Sequence, residues 1–249
     1  MKNFVFELCA ENLEAARTAQ RGGADRIELC AELSIGGVTP SLELVTSAVA
    51  ALSIPVYVLI RPRGGDFAYS ADEYARMRTQ VIRAKQAGAA GVVLGVLHHD
   101  ARVDVERSRA LFELASPMKC TFHRAFDKTP DQREALEAVI QTGADFLLTS
   151  GGAAEVQAGA DAIGRLREQA GNRLHLMAGG GLTLENLNEV VRRAGVSYLH
   201  GSLTRWRENG VAKKDPVAAC ADLEADLRKA INLFRQELTM REPATQGVC

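Results

Sequence analysis

Val56-Tyr57-Val58-Leu59-Ile60-Arg61-Pro62-Arg63-Gly64-Gly65-Asp66-Phe67 runs from β-branched and aliphatic residues straight into two arginines, two glycines and an aspartate. The apolar half predicts a buried strand. Pro62 and the glycine pair then end it and let the backbone turn sharply. Chemistry placed where a buried strand stops belongs to open α/β sheets and (β/α)8 barrels, whose ligands sit at the carboxyl ends of the strands. Arg61 and Arg63 ask for an anion there, because a guanidinium presents a planar fork of donors suited to carboxylate or phosphate. The competing reading is a surface turn carrying solvated charges.

Working outward, the same strand-then-helix grammar repeats on both sides. Strands are predicted at residues 4–9, 25–30, 54–61, 91–97, 119–123, 145–149, 174–178 and 196–200. Helices are predicted between them: one capped by Asn12, one opened by Thr39 and Pro40, one starting with the Ser70–Glu73 capping box, and one capped by Thr183. A long helix over residues 215–238 closes the series, followed by a tail that frays after about Met240. Eight alternating strand–helix units in 249 residues predict an α/β protein, a closed (β/α)8 TIM barrel of one domain spanning residues 1–249.

Composition excludes several classes. A net charge of −1 and a pI near 6.5 give no electrostatic case for nucleic acid or for an anionic membrane surface. No apolar stretch reaches membrane-spanning length, and Met1-Lys2-Asn3 leads into the first strand without a signal-like apolar region. The five cysteines (Cys9, Cys30, Cys120, Cys220 and Cys249) are scattered, odd in number and lack a C-x-x-C, which predicts free thiols in a reducing, cytoplasmic setting. Lysines are few, and none falls at the carboxyl end of a predicted strand, which disfavours Schiff-base and pyridoxal chemistry. Nucleotide-binding fingerprints, H-E-x-x-H and G-x-S-x-G are absent.

Alternation of side chains along a strand then sorts the polar residues. The repeats Glu7-Leu8-Cys9 and Glu28-Leu29-Cys30 place Glu7, Cys9, Glu28 and Cys30 toward the barrel interior, since the helix-facing side cannot accept an unpaired carboxylate. His123 ends the fifth strand, with Arg124 and Asp127 in the following loop. Glycines end strands seven and eight, where Gly180, Gly201 and Ser202 have the composition of a phosphate cradle. His98 and His99 read as solvated loop histidines, and His175 as a satisfied strand histidine.

The segments FELC, GADRIELCAELSIGGVTPS, IRPRGGDFAYS, TFHRAFD, LLTSGG and MAGGGLTLENL resemble the CutC family, named for copper homeostasis, over about Phe4 to Ser202. The resemblance implies a (β/α)8 barrel, a cytoplasmic location and a homo-oligomer such as a dimer. It also implies copper: Cys9 and Cys30 match thiols proposed to bind Cu(I) in some relatives, while Ala10 stands where some carry a further cysteine. Two functions are therefore expected. One is copper handling, with Cu(I) held by Cys9 and Cys30. The other is an enzyme acting on a small anionic ligand, phosphorylated or carboxylated. There Arg61 and Arg63 would hold the anion, Glu28 or Asp127 would serve as general base or acid with His123 as the second proton carrier, and Glu7 would orient one of them. A divalent ion on Glu7, Glu28 and His123 is a variant of the second.

Overall fold

Short apolar strands of four to six residues, each followed by a capped helix, leave no free sheet edge when they close on themselves. The computed structural model of the chain describes residues 4–201 and 216–239. In it β1 (Val5–Ala10), β2 (Arg26–Leu29), β3 (Val56–Leu59), β4 (Gly91–Leu94), β5 (Lys119–Phe122), β6 (Phe146–Thr149), β7 (His175–Gly179) and β8 (Tyr198–Gly201) form a closed parallel barrel in chain order. Around it lie α1 (Leu13–Gly22), α2 (Leu42–Ala51), α3 (Ala71–Gln86), α4 (Val105–Ala115), α5 (Gln132–Gln141), α6 (Val156–Ala170), α7 (Leu187–Ala194) and α8 (Pro216–Thr239). No helix among the described residues is long and apolar enough to cross a membrane. The expected fraying after Met240 concerns residues outside those described.

Alternation divides the apolar residues into two layers. Phe6, Leu8, Ile27, Leu29, Val58, Val92 and Phe122 pack outward against the helices in one large core. Cys9, Cys30, Tyr57, Leu59, Val93 and Phe146 form a smaller cluster inside the barrel. Glu7, Arg26, Glu28, Arg61, Thr121 and His123 are buried as well, on the inward side of their strands. The barrel interior is therefore the part of the molecule that departs from an apolar core.

Two helices begin later than the sequence predicts. The Thr39 hydroxyl accepts the Arg61 backbone N–H at 2.8 Å and donates to Gln80, so Thr39 ties α2's approach to the end of β3, and Ser41 caps the helix. Thr183 and Asn186 bond each other's backbone N–H reciprocally, making a turn ahead of α7, whose cap position is Asn186. The Ser70–Glu73 capping box forms as read from the sequence.

Candidate functional site

Strand register brings the first polar cluster together. Glu7 lies beside Arg26 on β2 and beside His200 on β8. Its two oxygens are divided between them: Oε2 accepts from Arg26 Nε at 2.6 Å and Oε1 from His200 Nδ1 at 2.7 Å. Burial alone would raise the Glu7 pKa, but the Arg26 and His200 charges and hydrogen bonds outweigh it and hold the carboxyl below its usual range. The Arg26 guanidinium packs in the corner formed by the Tyr57 and Phe146 rings, 4.2 Å from each centroid, a cation–π arrangement that suits a desolvated arginine.

Glu28 has the opposite environment. It is buried, and its Oε2 has no hydrogen-bond partner, with His200 Nδ1 the nearest cation at 3.9 Å. Burial pushes its pKa up to about 7; His200 pulls it down, Glu7 pushes it up further and Arg26 partly offsets that. His200 is shifted upward in spite of burial, through its hydrogen bond to Glu7 and the Glu28 charge. Two carboxylates one strand apart are thus driven to opposite protonation behaviour by their neighbours.

Next to Glu28 lie the thiols. Cys9 is the cross-strand partner of Glu28, and its Sγ sits 3.2 Å from Cys30 Sγ. The hydrogen bond to Cys30, burial and the Glu28 charge together push the Cys9 thiol well above its ordinary pKa. Cys30 can in turn direct its S–H toward the Ala10 carbonyl at 3.7 Å.

These groups form one wall of a cavity of about 350 Å³ at the barrel mouth, to which Cys9, Glu28 and His200 contribute. Arg61, His123 and Arg124 contribute donors to the same lining. Arg61 gives Nη1 to the Ile35 and Gly37 carbonyls and Nη2 to the Gly65 carbonyl, holding two loops with one side chain. The Gly37 backbone that offers its carbonyl has φ +82°, and a Cβ there would lie 2.8 Å from Leu59 Cδ2, so glycine is required. His123 accepts the Ala125 N–H at Nδ1. Burial and then the Arg61 charge drive its pKa down to about 3, so the ring is neutral and carries its proton on Nε2.

Two expected residues stand elsewhere or act otherwise. Arg63 does not line the cavity; its donors go to Glu73, Asp66 and the carbonyls of Gly64 and Ala68 on the outer side of the loop. This takes it out of the anion clamp. Asp127 is no free base either, because its oxygens accept from Arg124, Ser150, Thr149 and the Gly152 N–H. It organises the loops after β5 and β6. Gly180 and Gly201 do line the cavity, and Ser202 lies outside the described residues. Gly180 has φ +101°, and a Cβ would come within 2.7 Å of the Arg124 guanidinium, so this position keeps the arginine at the rim. The Gly180 carbonyl accepts the Val156 N–H at the start of α6.

The structure also assembles residues that motif reading did not select. Arg26 and His200 complete the Glu7 cluster, and both were accessible to the alternation rule, two positions from Glu28 and from Tyr198 respectively. Glu7, Glu28 and His200 hold ligand-type atoms within 4.8 Å of one another, whereas His123 is not part of that group. A hard cation there would have to break the Glu7 bonds to Arg26 and His200. The thiol pair has fewer commitments. Among the described residues no lysine lines the cavity; Lys119 begins β5 and pairs with Asp145.

Comparison with known proteins adds the lineage. The CutC family description matches residues 4–205. The chain is 42% identical over 208 residues to the copper homeostasis protein cutC homolog of Homo sapiens, covering 84% of this chain and 76% of that one. It is 45% identical over 202 residues to a CutC family protein of Pasteurella multocida (strain Pm70), covering 81% and 83% respectively. The crystal structure of a CutC from Streptococcus agalactiae superposes with a TM-score of 0.76 at 33% identity, over 80% of this chain and 98% of that one.

Proposed function

The chain belongs to the CutC family, and we propose that it serves copper homeostasis by binding Cu(I) between the thiols of Cys9 and Cys30. The observation that carries this reading is the pair of sulfur atoms 3.2 Å apart, with Cys9 in the cavity wall and Cys30 directly behind it. Thiolates are soft donors and select Cu(I) over harder ions. The acidic neighbours Glu28 and Glu7 favour a cation at this wall over an anion. With metal–sulfur bonds of about 2.3 Å, a linear site sets its sulfurs roughly 4.6 Å apart. The pair therefore has to open, by a side-chain rotation of Cys9 into the cavity it already lines. The thiol that the protein holds protonated must lose its proton in the process. The name of the human relative, a copper homeostasis protein, supports the same cargo.

The reading requires a reducing compartment, because two thiols this close are otherwise open to oxidation. Its test is anaerobic competition for Cu(I) against a chromogenic chelator, with a reductant that is not itself a thiol. The native chain is expected to withdraw one Cu(I) per protomer. Cys9→Ser with Cys30→Ser is expected to weaken that binding by at least about a hundredfold, more than loss of a supporting contact costs at metal sites. Cys120→Ser, behind the sheet and hydrogen-bonded toward Phe112 and Met118, should leave it unchanged. Equal affinity in the double variant and the native chain would sink the thiol site.

A further inference from the structure

Beyond the thiols, the cavity lining includes donor groups with nothing to donate to. Arg61 is 5% exposed and places three of its five N–H groups on carbonyls of Ile35, Gly37 and Gly65. Its Nε is buried without a hydrogen bond, and among the described residues no carboxylate forms an ion pair with it. The Tyr69 hydroxyl has no hydrogen bond of regular geometry and sits within side-chain bonding range of the Arg61 guanidinium. His123, 6% exposed, commits Nδ1 to the Ala125 N–H and leaves Nε2 buried without a partner. Both side chains meet the same cover: the Phe67 ring lies 4.8 Å from Arg61 Cζ and 4.9 Å from the His123 ring, and Phe67 is itself part of the cavity lining.

An arginine that only stapled loops would be expected to find a counter-charge, because a buried cation without one is costly. Two desolvated donors, side by side in one cavity, are instead complementary to an anionic oxygen pair. We propose that Arg61 and His123 form a binding site for a small monocarboxylate, distinct from the thiol pair, with Phe67 as the side chain the ligand displaces or slips beneath. Charge decides the class. These donors carry one uncompensated positive charge, since Arg124 is matched by Asp127 at 2.8 Å and His123 donates as a neutral ring. That balances a carboxylate and leaves a phosphate dianion half-neutralised. The cavity volume of about 350 Å³ lies at the lower end of the range for small-molecule sites, so the acid is small.

The test is an NMR titration of protein labelled with ¹⁵N-histidine. Acetate, lactate and benzoate serve as carboxylate probes of increasing size, and inorganic phosphate at matched ionic strength as the dianion. At least one carboxylate is expected to shift the His123 resonances saturably, with phosphate weaker by about tenfold or more, the factor that a 1.4 kcal/mol preference gives. Cys9→Ser with Cys30→Ser should retain this binding, which separates it from the copper site. His123→Phe keeps a ring in place and removes the N–H; saturation transfer from protein to the bound carboxylate should be lost in it. Arg61→Lys keeps the charge but not the fork, and weakens binding if the variant folds; His123→Phe decides alone if it does not. No saturable shift with any of the three acids, phosphate binding as tightly as the best of them, or undiminished transfer in His123→Phe would each overturn the proposal.

Discussion

Glu7→Gln is expected to destabilise the barrel by about 3–5 kcal/mol, the cost of leaving one member of a buried ion pair without its partner. Glu7 is fully buried and divides its two oxygens between Arg26 Nε at 2.6 Å and His200 Nδ1 at 2.7 Å. Glutamine keeps one acceptor oxygen but loses the charge, so the Arg26 guanidinium is left buried without its counter-charge whichever way the amide faces. Arg26 cannot escape to water, being held against the Tyr57 and Phe146 rings with Nη2 against Met177 Sδ. In thermal unfolding at neutral pH the loss corresponds to a fall in Tm of roughly 10 °C for a domain of this size. Glu7→Gln combined with Arg26→Met should recover much of it, since a buried pair replaced on both sides by groups of similar volume is often near neutral. Should the single variant melt with the native protein, the pair contributes nothing and the cluster has been misjudged; a double variant worse than the single one would show that Arg26 stabilises through the rings alone.

The barrel itself was legible because its signals are local. Alternation in Glu7-Leu8-Cys9 and Glu28-Leu29-Cys30 separates the helix-facing leucines from the inward polar residues, and both leucines pack in the outer core. Glycine stops and caps such as Asn12 and Ser70 act on neighbours one turn away, within reach of a sequence rule. Where Thr39 failed as a cap, the cause was long-range: it is bonded to Arg61, 22 residues away. The site was less legible for the same reason. Arg61 and Arg63 look alike in the sequence, and only the fold assigns one to the cavity and the other to Glu73 and Asp66 on the loop's outer side. Asp127 reads as a free carboxylate until its partners Thr149 and Ser150, on the next strand, are seen to saturate it. His200 meets Glu7 only because β8 closes against β1, a contact 193 residues apart that no local pattern encodes.

Glu28→Gln, by contrast, is expected to make the protein more stable at alkaline pH. In the folded chain the Glu28 carboxyl is pushed up to about 7, chiefly by burial, from a value near 4.5. The sign follows from proton linkage: between pH 4.5 and 7 the folded state binds more protons at Glu28 than the unfolded state, so stability falls as pH rises through that window. Below it both states are protonated and the group contributes nothing; above it the cost of the buried carboxylate is present in full. A shift of this size corresponds to about 3 kcal/mol at most. Part of that is returned through the favourable Glu28–His200 charge interaction, which glutamine also removes. The variant should therefore match the native protein near pH 4.5 and exceed it by about 1–3 kcal/mol at pH 8, as read by urea unfolding across the series. A native chain that is the more stable of the two at pH 8, or a difference that does not change with pH, would mean that Glu28 is ionised at little cost and that its unpartnered oxygen reports no strain. If the gain is found, the barrel tolerates a destabilising carboxylate at the cavity wall beside Cys9, which is how a residue kept for function rather than for folding behaves.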